Sequence, residues 1–183
     1  MFMKILHVYN QGLHHDVRTR RYGKVLTENF YDLEFYLVGQ SLQPDDVQVE
    51  YLSDRFKIIR LNFFFKNKKS NQFKFLNFTY WLINVLGYMM KQKEVRIISA
   101  HSLKVLPICL IGSIIKGAKL IYDTHEIETH TTNNKLAIGF LSFLERICML
   151  RVQHLIVTSP GHKEWYEKEY KKKILYSLGI APV

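Results

Sequence analysis

Four polar side chains able to orient or polarise a substrate follow two short apolar segments of this 183-residue chain. His101 follows the first segment, and Asp123, His125 and Glu126 follow the second, which covers residues 118–122. The first segment, residues 95–100, holds three β-branched residues, and the second holds Ile121 between Leu120 and Tyr122, which is typical of buried strands. Ligands of open parallel α/β sheets bind outside the carboxyl ends of the strands. We therefore predict that these side chains share one rim of a sheet and bind a polyhydroxylated, charged substrate.

A second polar cluster, residues 14–21, lies where the first predicted strand leads into the first predicted helix. Because a helix N-terminus attracts anions, His15, Asp16 and Arg18 are candidates for substrate binding. The alternative is structural, with Asp16 as a helix N-cap and the arginines on a solvated face. The loop holds only Gly12, so it is not the G-x-G-x-x-G fingerprint of a dinucleotide site.

Several other chemistries lack their motifs. His125 and His130 are five residues apart, whereas the zinc motif H-E-x-x-H places its histidines on one helix face. A metal site would also need a further ligand from elsewhere, so we expect no metal. The sequence contains neither a P-loop nor a serine or cysteine nucleophile motif, which argues against an NTPase or a hydrolase.

Alternating strand and helix patterns predict the fold class. Strands are predicted over residues 4–9, 33–38, 47–52, 56–65, 95–100, 118–122, 154–158 and 173–176, and helices over 17–30, 75–90, 102–116, 136–151 and 161–170. This alternation indicates βαβ units in a mostly parallel, doubly wound α/β sheet, which we assign to one domain over residues 1–183.

Two features predict the compartment. The N-terminus reads as a first strand rather than a signal peptide. Cys109 and Cys148 each lie in an apolar helical context, as expected for buried thiols in a reducing compartment. We expect a cytoplasmic protein.

The positive charge is concentrated in one part of the chain. The formal net charge is +10, and residues 55–93 hold nine basic and no acidic residues, against 17 basic and 16 acidic residues elsewhere. A local positive field of this kind attracts an anionic surface.

An apolar, aromatic helix is predicted over residues 75–90, within the basic block. It is shorter than the roughly 20 residues of a membrane span. It can be a buried crossover helix, an interfacial helix on anionic lipid, or both on opposite faces. We expect no nucleic acid partner, because these aromatic residues lie in an apolar helix rather than on a sheet face. The predicted membrane surface consists of Lys66, Lys68, Lys69, Lys74, Phe75 and Trp81.

The order of these motifs resembles a known family. Tyr-Asp-Thr-His-Glu at 122–126, Leu-Glu-Arg at 144–146 and Val-Thr-Ser at 157–159 follow the loop around Asp16 and the histidine at 101. In this order they resemble the N-terminal domain of the family 4 GT-B glycosyltransferases, retaining enzymes that build bacterial surface polysaccharides and glycolipids. The resemblance covers essentially the whole chain.

The resemblance implies a Rossmann-like, doubly wound, mostly parallel sheet with helices on both faces, which is one half of a GT-B fold. It implies an acceptor-binding role for this half, with His101 as the catalytic residue near the transferring sugar. Asp16 would belong to the first acceptor loop, and Asp123, His125 and Glu126 would border the cleft. Family members commonly dock on the inner face of the membrane, so we expect peripheral membrane association.

The family's donor-binding half has no counterpart in residues 1–183. We therefore expect no cofactor on this half, with the nucleotide-sugar donor bound by a C-terminal domain or a separate subunit. The expected function is to bind a glycan or lipid-linked acceptor for sugar transfer, without activity alone, because the groups that stabilise the leaving diphosphate are missing. The alternative is a non-catalytic membrane-surface scaffold with a degenerate cleft.

Overall fold

The computed structural model describes residues 2–13, 17–41, 46–63, 71–124, 126–128, 133–170 and 175–178. Its contacts divide the chain into two compact units, Met1–Arg96 and Ile97–Val183. The assignment of residues 1–183 to one domain, completed by a separate donor-binding domain, stays a prediction.

The first unit is built from four strands and two helices. In chain order these are β1 (Met3–Gly12), α1 (Val17–Asn29), β2 (Leu33–Gln40), β3 (Val49–Ser53), β4 (Phe56–Leu61) and α2 (Asn71–Lys91). The strands lie in the order β3-β4-β2-β1. β2 pairs in parallel with both β1 and β4, and β3 pairs antiparallel with β4. β2 is buried along nearly its whole length, since it has a strand on each side.

The second unit repeats a strand–helix alternation. Its elements are β5 (Val95–Ala100), which begins at the unit boundary, α3 (Leu106–Lys116), β6 (Lys119–Thr124), α4 (Lys135–Met149), β7 (Val152–Val157), α5 (Pro160–Tyr170) and β8 (Leu175–Leu178). The strands lie in the order β5-β6-β7-β8, and each pairs in parallel with its neighbour. Cys109 on α3 and Cys148 on α4 are free and buried, as predicted.

The predicted fold class is confirmed: the chain is an α/β protein of the Rossmann-like, mostly parallel type. Several predicted boundaries were wrong. Gly39 lies inside β2, where a side chain would not fit, because a Cβ there would lie 2.5 Å from Leu13 Cγ. β6 continues through Thr124, so Asp123 belongs to the strand. α3 begins at Leu106 rather than at the predicted residue 102, and Pro107 occupies its first turn.

Helix α2 buries the residue that we had placed on a membrane surface. Trp81, Val85 and Met89, spaced four residues apart, are fully buried, and the Trp81 indole N–H donates to the Gly39 carbonyl at 3.3 Å. The assignment of Trp81 to a membrane surface is therefore wrong, since its indole is part of the core. Lys74 and Phe75 are exposed.

One cation of the basic block is buried and paired within the first unit. Arg60 is buried and forms an ion pair with Glu50, which Arg20 also contacts. Burial opposes ionisation of Glu50, but the hydrogen bond and charge of Arg60 hold its pKa below the usual range. Lys66, Lys68 and Lys69 lie outside the described residues. Within the described part of the chain, none of the helices combines the length and apolar composition of a membrane span.

Candidate functional site

The second unit places a histidine and a carboxylate at two adjacent strand ends. β5 and β6 pair in register, with Ala100 beside Tyr122, so His101 and Asp123 extend the same edge. Nδ1 of His101 lies 3.1 Å from Oδ2 of Asp123, and both side chains are buried. The predicted proximity of these two residues is present in the structure.

This contact determines the tautomer of His101. An ionised Asp123 carboxylate can only accept, so Nδ1 of His101 carries the proton and donates it. Whenever the ring carries only that proton, Nε2 is its accepting nitrogen. An imidazole held in this way can accept a hydrogen bond from a sugar hydroxyl and polarise it.

Two further polar residues lie near this pair in the sequence: Ser102 follows His101, and Glu128 lies beyond the end of β6. Ser102 Oγ, next to His101, is buried and makes no hydrogen bond to any described residue. Glu128, beyond β6, accepts from the backbone N–H of Leu103 at 2.6 Å. Burial raises the pKa of Glu128, with the Leu103 N–H opposing that shift. This hydrogen bond ties the segment after β6 to the turn after β5.

The end of β6 is held from both sides. Thr124 Oγ1 donates to the Glu126 carbonyl at 2.7 Å, and the Glu126 side chain points outward and is exposed. On the other side, Tyr166 Oη lies 3.5 Å from Thr124 Oγ1. Glu126 is therefore accessible to solvent, whereas Asp123 is fully buried.

A buried carboxylate supports this region, and our sequence reasoning gave it no role. Glu145 of α4 is 1% exposed and accepts three tyrosine hydroxyls: Tyr170 at 2.6 Å, Tyr166 at 2.9 Å and Tyr122 at 3.3 Å. Burial raises the pKa of Glu145, while these three hydrogen bonds oppose the shift. The available signal was one acidic residue within an apolar helix, in the Leu-Glu-Arg motif.

The Val-Thr-Ser segment at the end of β7 has a local structural role. Ser159 Oγ accepts from the backbone N–H of His162 at 3.2 Å, as an N-cap does at the start of α5. Thr158 Oγ1 lies 3.2 Å from His162 Nδ1. These contacts account for the polar residues that follow this strand.

The described part of the structure does not show the remaining candidates for acceptor binding in this cluster. Arg18 belongs to the first unit, where its Nε donates to the Tyr22 hydroxyl at 2.9 Å and its guanidinium lies over the Tyr22 ring. His15, Asp16 and His125 lie outside the described residues. Their assignment to acceptor binding stays a prediction.

No protein-family model matches the sequence, and no curated protein matches it either. Solved structures do match. A structure of sucrose-phosphate synthase from Thermosynechococcus elongatus is 14% identical, with a TM-score of 0.71 over 99% of this chain and 90% of that chain. In another structure of the same enzyme, at 15% identity and a TM-score of 0.70, the match covers 96% of this chain and 47% of that chain.

Two other proteins show the same likeness. UGT71G1 from Medicago truncatula, complexed with UDP-glucose, is 8% identical, with a TM-score of 0.66 over 99% of this chain and 52% of that chain. A UDP-N-acetylglucosamine 2-epimerase is 10% identical, with a TM-score of 0.61 over 97% of this chain and 48% of that chain. The chain thus spans about half the length of both proteins.

At these identities the likeness establishes the fold. The chain has the Rossmann-like architecture of one half of a GT-B fold, as the motif order had predicted. Because an epimerase shares this architecture, the fold alone does not select a reaction.

Proposed function

We propose that this chain is the acceptor-binding half of a GT-B glycosyltransferase of the family 4 type. In the assembled enzyme, sugar moves from a nucleotide-sugar to a lipid-linked or polysaccharide acceptor. A C-terminal domain or a separate subunit binds the donor, and the chain is inactive without it. The enzyme works in the cytoplasm, peripherally on the inner face of an anionic membrane.

The buried His101–Asp123 pair carries this proposal. Two adjacent parallel strand ends deliver it to the edge where ligands of such sheets bind. Asp123 orients the imidazole, and His101 holds and polarises an acceptor hydroxyl beside the reacting centre. The exposed Glu126 carboxylate and the Ser102 hydroxyl supply further hydrogen bonds to a polyhydroxylated ligand.

Ligand binding to the chain alone tests the acceptor role. The protein is labelled with ¹⁵N at its histidines and titrated with a lipid-linked monosaccharide, an oligosaccharide and, separately, UDP-glucose. We expect one of the two acceptor probes to shift the His101 resonances and UDP-glucose to leave them unchanged. The replacement His101→Asn should weaken acceptor binding about fivefold, because about 1 kcal/mol of hydrogen bonding is lost.

His154 provides a matched control. It lies on β7, half-buried, and takes no part in the proposed site, so His154→Asn should leave acceptor binding unchanged. Binding of UDP-glucose with no effect of either acceptor probe would assign the chain to the donor side and contradict the proposal. Absence of binding by all three probes would favour the scaffold alternative.

In the complete enzyme, His101→Asn should lower turnover at least about tenfold, the usual scale for a lost catalytic contact. Unchanged turnover would remove His101 from the site.

A further inference from the structure

Helix α4 exposes a stripe of large apolar side chains. The stripe, which we call the α4 stripe, is spaced alternately by four and three residues and consists of Leu136, Phe140, Phe143, Ile147 and Leu150. Their exposed fractions range from 42% to 86%. Single exposed apolar residues are ordinary, but a continuous row on one helix face marks an interaction surface.

The α4 stripe is not the face with which this helix packs on its own unit. Glu145, Cys148 and Met149 are the buried residues of α4, and they lie on its other side. The neighbouring helix α3 packs against α4 and has three exposed apolar side chains of its own, Ile111, Ile114 and Ile115. Both helices thus direct apolar side chains away from the core.

Basic residues predominate around this surface. Lys135 and Arg151 are exposed at the two ends of the stripe, and Lys104 is exposed just before α3. Arg146 is exposed on α4 and pairs with Glu169. The only acidic residue within α3 or α4 is the buried Glu145. The occupant of this surface must therefore be both apolar and anionic.

We propose that the α3–α4 face docks this protein on an anionic lipid bilayer, with Phe140 and Phe143 inserted below the headgroups and the terminal cations among them. This inference deepens the proposed function, because it locates the membrane surface for an enzyme with a lipid-linked acceptor. Helices of this kind lie in the interface plane, held by apolar area and by attraction to anionic lipid. The surface belongs to the second unit, whereas the sequence had directed attention to α2.

The charge pattern disfavours a second copy of the chain as the occupant. The 4-3-4-3 spacing also fits a helix pair, but pairing α4 with itself would bring the exposed cations of the two copies together. Neither α3 nor α4 offers an exposed carboxylate to neutralise them. Anionic headgroups supply both the missing charge and the apolar layer.

Vesicle sedimentation tests the proposal. The chain is mixed with phosphatidylcholine vesicles containing or lacking phosphatidylglycerol. We expect binding that requires phosphatidylglycerol, and at least about a tenfold lower partition coefficient for the double variant Phe140→Ser with Phe143→Ser. The matched control is Leu76→Ser with Ile83→Ser, which removes two exposed apolar side chains from α2, 51% and 61% exposed, and should retain binding.

Each other outcome overturns the proposal. These outcomes are no binding to either vesicle, equal binding to both, or a loss caused only by the α2 variant. A lipid-independent dimer that the α4 variant abolishes would instead assign the face to a second copy. Circular dichroism spectra confirm that the variants are folded. The His101 titration does not depend on vesicles, so failure of membrane docking and failure of the proposed function are distinguishable.

Discussion

Replacing Glu145 separates two opposing influences on one buried carboxylate. Its side chain is almost completely buried, which favours the protonated form, yet three tyrosine hydroxyls donate to it, which favours the ionised form. Burial is the larger effect, and the pKa of Glu145 is raised. The variants Glu145→Gln and Glu145→Ala measure this balance through the free energy of unfolding.

The size of each effect follows from the contacts. Glu145→Ala leaves the buried hydroxyls of Tyr122 and Tyr166 without their carboxylate and creates a cavity, whereas the half-buried Tyr170 can turn to water. An unsatisfied buried hydroxyl costs about 1–3 kcal/mol, so we expect a total loss of about 4 kcal/mol. Glu145→Gln keeps the shape and one carbonyl acceptor, and should cost about 1 kcal/mol at pH 8.

The pH dependence has a definite sign. A carboxyl group with a raised pKa binds its proton more tightly in the folded chain than in the unfolded chain. The free energy of unfolding therefore falls as the pH rises from the ordinary glutamate pKa, about 4.3, through the raised value. Since glutamine does not titrate, the cost of Glu145→Gln should be larger at pH 5 than at pH 8.

Urea unfolding followed by circular dichroism at both pH values measures these costs. Other titrating groups largely cancel, because the wild type and the variant share them. A cost that is larger at pH 8 would show that the tyrosine hydrogen bonds outweigh burial, and would refute our reasoning about this carboxylate.

Three further predictions concern packing. Gly23→Ala should destabilise the chain by about 2 kcal/mol, because a Cβ there would lie 2.6 Å from Phe56 Cζ and the clash outweighs the gain in helix propensity. At Gly87 on α2 an added Cβ meets nothing within 4 Å, so Gly87→Ala should stabilise the chain by about 0.5–1 kcal/mol. If the melting temperatures of both variants shifted in the same direction, the packing described for these two glycines would be contradicted. Trp81→Phe should cost about 2 kcal/mol by losing the hydrogen bond to Gly39 and some core volume, while vesicle binding stays unchanged. A loss of vesicle binding without a loss of stability would return Trp81 to the membrane surface.

The sequence was sufficient for the order of elements and for the His101–Asp123 pair. Period-two and helical patterns are local, and strand ends in a parallel sheet converge on one edge, so this proximity follows from topology alone. The orientation of α2 could not be read in the same way. Trp81 and Phe75 belong to the same apolar run, yet Trp81 is buried and Phe75 is exposed. This difference depends on tertiary contacts such as the hydrogen bond from the Trp81 indole to the Gly39 carbonyl, which the sequence pattern does not contain. The tyrosine cluster around Glu145 joins residues from three elements, which no local pattern records.

The two buried thiols give the second unit an internal reporter of its own motion. Burial raises the pKa of Cys148 to about 11 and that of Cys109 still further, so neither forms a reactive thiolate in the closed structure. A thiol reagent can therefore modify them only while α3 or α4 is transiently open. When reclosing is fast, the labelling rate gives the opening free energy of each helix separately from global unfolding. The local stability of α3 and α4, the two helices that form the apolar face, can therefore be measured separately in the native protein through Cys109 and Cys148.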